Sequence, residues 1–212
     1  MLAEESAPLG EYRTAARAWM VDPLDGTRDY VRGLPGFATM IGLCVDGQPS
    51  LGVVYQPLGE LLYHAARGQG AFVEEGGATR RLRVSATADP RGCRLVSSAS
   101  HRMATIDAVR AALAIDDEIL LGSVGLKLAL ISRAERDLYV NPEGFSKLWD
   151  SCAPGVILAE AGGRLTDARG RPLDYRAADV RHADGLLASN GRIHDAVVAA
   201  ITPLFPTPAT RP

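Results

Sequence analysis

Apolar and polar positions alternate along the first part of the chain and then give way to runs of helical period. Residues 1–17 are polar and small, and Ala18-Trp19-Met20-Val21 reads as a short buried strand running into an Asp-Pro turn at Asp22-Pro23. An apolar run over 38–45, the turn signal Asp46-Gly47, a second run over 51–55 closed by Pro57 and a third over 61–65 predict an antiparallel meander. Gly68 and Gly70 punctuate it, Gly76 and Gly77 mark a further turn, and 81–84 supplies one more strand.

Past Pro90 strands and helices alternate. The pattern predicts strands over 94–97, 118–121, 137–140, 164–166 and 186–189, and helices over 103–113, 126–133, 149–161 and 194–201. Gly162-Gly163 is a suitable stop for the third helix. The change of rhythm divides the chain into an antiparallel sub-domain over 1–88, an α/β sub-domain over 89–205 and a frayed tail over 206–212, an α+β protein.

Composition narrows the function classes. The 212 residues are 47% apolar, ordinary for a compact globular protein, and 23 Lys+Arg nearly balance 25 Asp+Glu. A chain so neutral has no field to recruit nucleic-acid polymers or an anionic membrane, so an anionic substrate must be bound by a local site. Cys44, Cys93 and Cys152 are odd in number and lack metal-ligand spacing, which suits free thiols in a reducing compartment. A basic-then-apolar leader and an apolar run near the roughly 18 residues of a spanning helix are both missing, so a cytoplasmic location is expected.

Candidate chemistry gathers at two places. Asp22 and Asp25 lie three apart around Pro23, so both carboxylates and the Leu24 carbonyl can meet hard divalent cations, which suits magnesium better than zinc. Gly26 lets a phosphate approach the backbone, and amides near Gly26 and Thr27 offer donors if they start a helical turn. Each element has a plainer reading beside this one. Asp-Pro and Asp-Gly form turns, Glu4-Glu5 suits a solvated acidic pair, and Asp150 can cap the helix that Trp149 anchors in the core.

Taken in order, Glu4-Glu5-Ser6, Asp22-Pro23-Leu24-Asp25-Gly26-Thr27, Gly52-Val53-Val54-Tyr55, Trp149-Asp150-Ser151-Cys152-Ala153-Pro154 and Glu160-Ala161-Gly162-Gly163 resemble the inositol monophosphatase superfamily. Within it, Ser146-Lys147-Leu148-Trp149-Asp150 and Gly170-Arg171-Pro172-Leu173-Asp174-Tyr175 are most similar to 3'(2'),5'-bisphosphate nucleotidases. The resemblance implies a layered α/β/α/β/α sandwich of the inositol monophosphatase/fructose bisphosphatase type. The sandwich is expected to be N-terminally shortened, because the resemblance implies a helical segment ahead of the first ligand and the sequence begins almost at Glu4.

It also implies a magnesium-dependent, lithium-sensitive phosphomonoesterase. One ion is implied on Glu4, Asp22 and the Leu24 carbonyl, and a second on Asp22, Asp25 and Asp150. Glu4, Asp25 and Thr27 are implied in catalysis, Thr27 by holding the attacking water, with Glu5 beside the ligands. Gly26, Thr27, Ser100, His101, Ser123, Lys127 and Asp150 are implied in binding a small phosphorylated substrate, and Arg102 lies in the same loop as His101. By physical reading alone Lys127 suits a solvated helix face and His101 a helix cap. The implied reaction takes the 3'-phosphate from adenosine 3',5'-bisphosphate. An inositol monophosphatase and a non-catalytic phosphate-binding module are the alternatives, and a homodimer is common in the family.

Overall fold

A computed structural model of the chain describes residues 1–5, 10–98, 104–142 and 144–205. Strands β1 (Leu2–Ala3), β2 (Arg17–Asp25), β3 (Ala38–Val45), β4 (Gln48–Gln56), β5 (Leu61–Ala66), β6 (Gly70–Glu75) and β7 (Ala78–Arg81) hydrogen-bond in chain order into a seven-stranded sheet. Neighbours are antiparallel from β2 onward, and β1 pairs parallel to β2.

The departures from the sequence pattern have physical causes. Two residues are too few to show alternation, so β1 left no pattern. The tight turn at Gly76-Gly77 sets Glu75 opposite Ala78, which places β7 three residues earlier than the apolar pattern does. β2 runs on through Pro23 to Asp25, so the Asp-Pro segment is no exit turn. It is a bulge, because Asp22 pairs with Met40 and Asp25 with Ala38, three steps on β2 against two on β3.

Strands β8 (Leu95–Ser98), β9 (Glu118–Leu121), β10 (Leu138–Asn141), β11 (Arg164–Thr166) and β12 (Leu186–Ser189) form the second sheet, in the order β11-β12-β10-β8-β9. The helices are α1 (Thr27–Val31), α2 (Ala104–Leu113), α3 (Val124–Ser132), α4 (Leu148–Glu160) and α5 (His194–Ile201).

Three clusters of buried side chains define the layers. Met40, Val54 and Tyr63 of the first sheet pack on Leu126 of α3 and Ala153 and Val156 of α4. The other side of α3, through Val124, Leu128 and Ile131, meets Val96, Tyr139 and Ala188 of the second sheet. That sheet's far face holds Leu95, Leu138 and Leu187 against Ile106, Val109, Val197 and Ile201 of α2 and α5. α3 is apolar nearly all round because it lies between two sheets.

The described residues therefore supply sheet, helices, sheet, helices, four of the five layers of the implied sandwich. The outer face of the seven-stranded sheet carries Trp19, Ile41 and Tyr55, all exposed. No helix among the described residues is long and apolar enough to cross a membrane.

Gly42 and Gly52 pair across β3 and β4, directly beneath α4. A Cβ at Gly42 would stand 2.6 Å from Cys152 Sγ, and one at Gly52 would strike the Ala153 carbonyl oxygen. The missing side chains let α4 lie against the sheet, and this seats Asp150, in its first turn, near β2.

Candidate metal and phosphate site

Residues three apart on a regular strand face opposite sides of the sheet. The bulge in β2 adds the residue that returns Asp22 and Asp25 to one side, and both are buried, at 2% and 8% exposure. Pro23 fits there because a bulged position needs no ladder hydrogen bond. The parallel register sets Leu2 opposite Met20 and Ala3 opposite Val21, and the Glu4 amide donates to the Val21 carbonyl at 3.2 Å. Glu4 therefore follows beside Asp22.

Each aspartate is pinned through one oxygen. Asp22 Oδ1 accepts from the Leu24 amide at 2.9 Å. Asp25 Oδ2 accepts from the Ser123 hydroxyl at 2.5 Å and the Gly125 amide at 2.8 Å. Asp150 Oδ2 accepts from the Lys147 amide at 2.9 Å, as a helix-capping carboxylate does. The capping role and a ligand role are compatible, since these bonds leave the second oxygen of every carboxylate for a cation.

Burial, then repulsion from Asp25, Asp150 and Glu4, pushes the Asp22 carboxyl far above the usual range. Asp150 is driven the same way by burial and by Asp25. Asp25 is raised by burial and drawn back by its Ser123 and Gly125 hydrogen bonds. Glu4 forms an ion pair with Lys147 at 3.6 Å, on the rim of this group.

Among the described residues no three His, Cys, Asp or Glu side chains converge into a ready-made metal cage. The carboxylates stand within electrostatic reach of one another without having closed together. As a donor set they still fit magnesium. All are hard oxygens with one oxygen each already fixed, and their crowded charge is relieved by a divalent cation.

The turn and cleft expected to take a phosphate lie alongside. Gly26, at φ 89, opens α1, and the Thr27 hydroxyl donates to the Leu24 carbonyl at 3.0 Å. A cleft of about 200 Å³ is lined by Gly26, Thr27, Gly122, Lys127, Tyr139 and Asp150, among others. Lys127 is 1% exposed, which rules out the solvated-helix reading. Its Nζ donates to the Gly122 carbonyl at 2.7 Å and lies 5.0 Å from the Tyr139 ring centroid. Burial lowers this ammonium to about 8 against the opposing pull of Asp25, Asp150 and Asp29.

Ser123 is placed differently from the other implied contacts. It is fully buried, caps α3 by accepting from the Leu126 amide at 3.0 Å, and donates to Asp25, so it lies behind the cleft wall and orients a carboxylate. Ser100, His101 and Arg102 lie outside the described residues.

Asp29 carries a role the sequence pattern did not show. It is 3% exposed, and its Oδ2 accepts from the Gly122 amide at 2.8 Å, tying α1 to the loop before α3. The only signal was a carboxylate two residues after Thr27 on a five-residue helix. Arg28, Asn141 and Phe145 also line the cleft without belonging to any motif.

The family model described as the Inositol monophosphatase family matches residues 1–203. Histidinol-phosphatase of Mycobacterium tuberculosis is 34% identical over 196 residues, covering 91% of this chain and 72% of that protein. The 3'(2'),5'-bisphosphate nucleotidase CysQ of Escherichia coli is 36% identical over 176 residues, covering 82% of this chain and 69% of the other. The solved inositol monophosphatase from Anabaena superposes with a TM-score of 0.80 at 31% identity, over 95% of this chain and 77% of that one.

Proposed function

The chain belongs to the inositol monophosphatase family, whose members are phosphoric monoester hydrolases, and on that premise we propose that it releases the 3'-phosphate of adenosine 3',5'-bisphosphate, giving AMP and orthophosphate. The family is generally magnesium-dependent. The observation that carries the reading is a cleft lined by the Gly26-Thr27 turn, Lys127 and Asp150, with Asp22 and Asp25 buried within electrostatic reach of Asp150.

In this reading Glu4, Asp22, the Leu24 carbonyl, Asp25 and Asp150 hold two magnesium ions. Bound magnesium would supply positive charge to the phosphoryl oxygens and lower the pKa of a bound water so that it can attack as hydroxide. The chain's own groups do the rest. Thr27, its hydroxyl hydrogen given to Leu24, offers a lone pair to the attacking water. Gly26 and Thr27 bring backbone close to the phosphate, and Lys127 faces its charge from the inner wall. Water oxygen bonds to phosphorus as the bond to the 3'-oxygen breaks, and that oxygen leaves with a proton as the sugar hydroxyl.

CysQ, at 36% identity, favours the nucleotide. Histidinol-phosphatase, matched over more of this chain, supports histidinol phosphate as a second reading. Both alcohols carry a flat ring, and Phe145, 56% exposed on the cleft rim, offers a flat apolar surface to either. Phosphate release from adenosine 3',5'-bisphosphate, histidinol phosphate and inositol 1-phosphate, with magnesium or with EDTA, tests the proposal. The expected result is magnesium-dependent release with kcat/KM at least about tenfold higher on the bisphosphate. A preference for either other substrate would overturn the nucleotide assignment, and release equal in EDTA would overturn the metal role.

A further inference from the structure

A second cleft, larger than the one at the metal site, lies at the other end of α4. It has a volume of about 770 Å³ and is walled by the segment from Arg81 to Ala86, the end of α4 with Gly162 and Gly163, the start of β11, and the loop from Asn190 to Arg192. Asp150 and Glu160 sit at opposite ends of α4, about 15 Å apart along its axis.

Its charge is one-sided. Arg81, Arg83, Arg164 and Arg192 all line it, against the single carboxylate of Glu160. Glu160 is already held, accepting from the Gly68 and Gly70 amides at 2.8 and 2.7 Å. Arg164 is paired with Asp195 at 2.7 Å. Arg81, Arg83 and Arg192 have no ion-pair partner among the described residues, although elsewhere in the molecule arginines such as Arg94, Arg136, Arg171 and Arg181 sit on carboxylates.

The frame beneath these guanidiniums is rigid. The Val84 amide donates to the Ala161 carbonyl at 3.0 Å, which joins the segment after β7 to the end of α4. Asn190 donates through its side-chain amide to Ser85 Oγ at 2.9 Å and to the Thr87 carbonyl at 2.8 Å, which joins the same segment to the loop after β12. Leu82, fully buried, and Ala161 give the floor an apolar part. Three cations without an ion-pair partner among the described residues, two at or just past the end of β7 and one on the loop after β12, line one concave frame and suit a compact ligand with several negative charges better than a single carboxylate. The carbonyl end of α4 opposes an anion, and the guanidiniums outweigh it because Val84 already engages the Ala161 oxygen.

We propose that this cleft is a second anion site, separate from the phosphatase centre, that takes a small molecule bearing two linked phosphoryl groups. The probe is pyrophosphate, titrated calorimetrically into the full chain in EDTA and about 50 mM salt, where the carboxylate-rich metal site repels it. One equivalent should bind with Kd at or below about 1 mM, and raising salt to about 200 mM should weaken it. Arg83→Ala combined with Arg192→Ala should weaken binding at least about tenfold while magnesium-dependent phosphate release stays within about twofold of the parent. Arg83→Glu alone should cause a comparable loss, and Lys127→Ala should leave the titration unchanged. No saturable binding up to about 10 mM, or binding lost in Lys127→Ala and kept in the double variant, would overturn the proposal.

Discussion

Asp137 and Asp22 are buried alike, at 1% and 2% exposure, yet their carboxyls are driven in opposite directions. Burial alone would raise both. At Asp137, hydrogen bonds from Arg94 and Ser85 and the Arg94 charge overcome it and hold the carboxyl at about 2. Arg94 reaches Asp137 through its amide, Nε and Nη2, each at 2.9 Å. At Asp22 the neighbours are Asp25, Asp150 and Glu4, and the buried cation Lys127, which faces Asp25 and Asp150, is engaged by the Gly122 carbonyl. The chain supplies a hydrogen-bonded guanidinium at one centre and none at the other, where Lys127 and Lys147 act on the carboxylates only from the side. A buried carboxylate with its own guanidinium acts as a brace, and a buried group of carboxylates without one suits a socket for a cation, the role proposed above.

The sharpest way to separate brace from socket is to neutralise one carboxylate in each. Asp22→Asn should cut phosphate release by more than about 100-fold, beyond the loss of an outer hydrogen-bond partner to a metal ligand. In EDTA the same variant should melt no lower than the parent, because the metal-free Asp22 carboxyl holds a proton that the unfolded chain releases, and a neutral amide of the same size removes that cost. A variant that keeps its turnover, or that unfolds, would make Asp22 a brace after all.

Arg94→Ala tests the other side. It strands the Asp137 charge in the interior and should cost roughly 2–4 kcal/mol in urea unfolding, the lower part of the range reflecting the partial exposure of Arg94. Magnesium-dependent activity per folded molecule should be unchanged. A stability loss below about 0.5 kcal/mol would show that the pair braces nothing.

The two centres also differed in how far the sequence revealed them. Asp22, Asp25 and Asp150 stand out because the short segments that carry them, read locally as an Asp-Pro turn and a helix start, resemble in their order the inositol monophosphatase superfamily, although the bulge in β2 was hidden behind the turn signal. The meander and the later alternation were readable locally, since period two and period 3.6 are properties of short windows. The Asp137–Arg94 brace joins residues 43 apart with no motif to mark either. Asp29, Ser123 and the parallel pairing that sets Glu4 beside Asp22 are likewise products of packing. They depend on how α1, β1 and α3 meet, which a window of sequence does not encode. The burial of Lys127 followed from α3 lying between two sheets, a placement its own residues could not announce.

Magnesium should stabilise the protein in a pH-dependent way that the brace does not share. Asp22, Asp25 and Asp150 have raised carboxyls, so above about pH 4 the metal-free native state keeps protons that the unfolded chain releases, and its stability falls as pH rises. Magnesium displaces those protons, so its stabilisation should grow with pH, reaching roughly 2–3 kcal/mol at saturating ion near pH 8 and shrinking toward pH 5. Asp137 has the opposite sign. Its carboxyl is depressed to about 2 from 3.8, so its contribution of about 2 kcal/mol is complete above about pH 4 and disappears as pH falls through about 2. Melting curves with magnesium and with EDTA across this range separate the two. An increment that did not depend on pH would mean that magnesium binds elsewhere.

The smallest expected effect comes from the residue that couples the two kinds of chemistry. Ser123 braces a helix by capping α3 at the Leu126 amide and serves the socket by donating to Asp25. Ser123→Ala removes both bonds. Loss of the cap should cost about 1 kcal/mol of stability. Loss of the bond to Asp25 should raise that carboxyl further, because the hydroxyl is the larger of the two hydrogen bonds that hold it down. Magnesium would then compete with a more tightly held proton, so the acid limb of the activity profile should move to higher pH while activity at alkaline pH stays within about tenfold of the parent. Ser123→Thr, which keeps the hydroxyl, should return the acid limb to its place even if crowding lowers the melting point. A purely structural role would lower stability and leave the pH profile where it was.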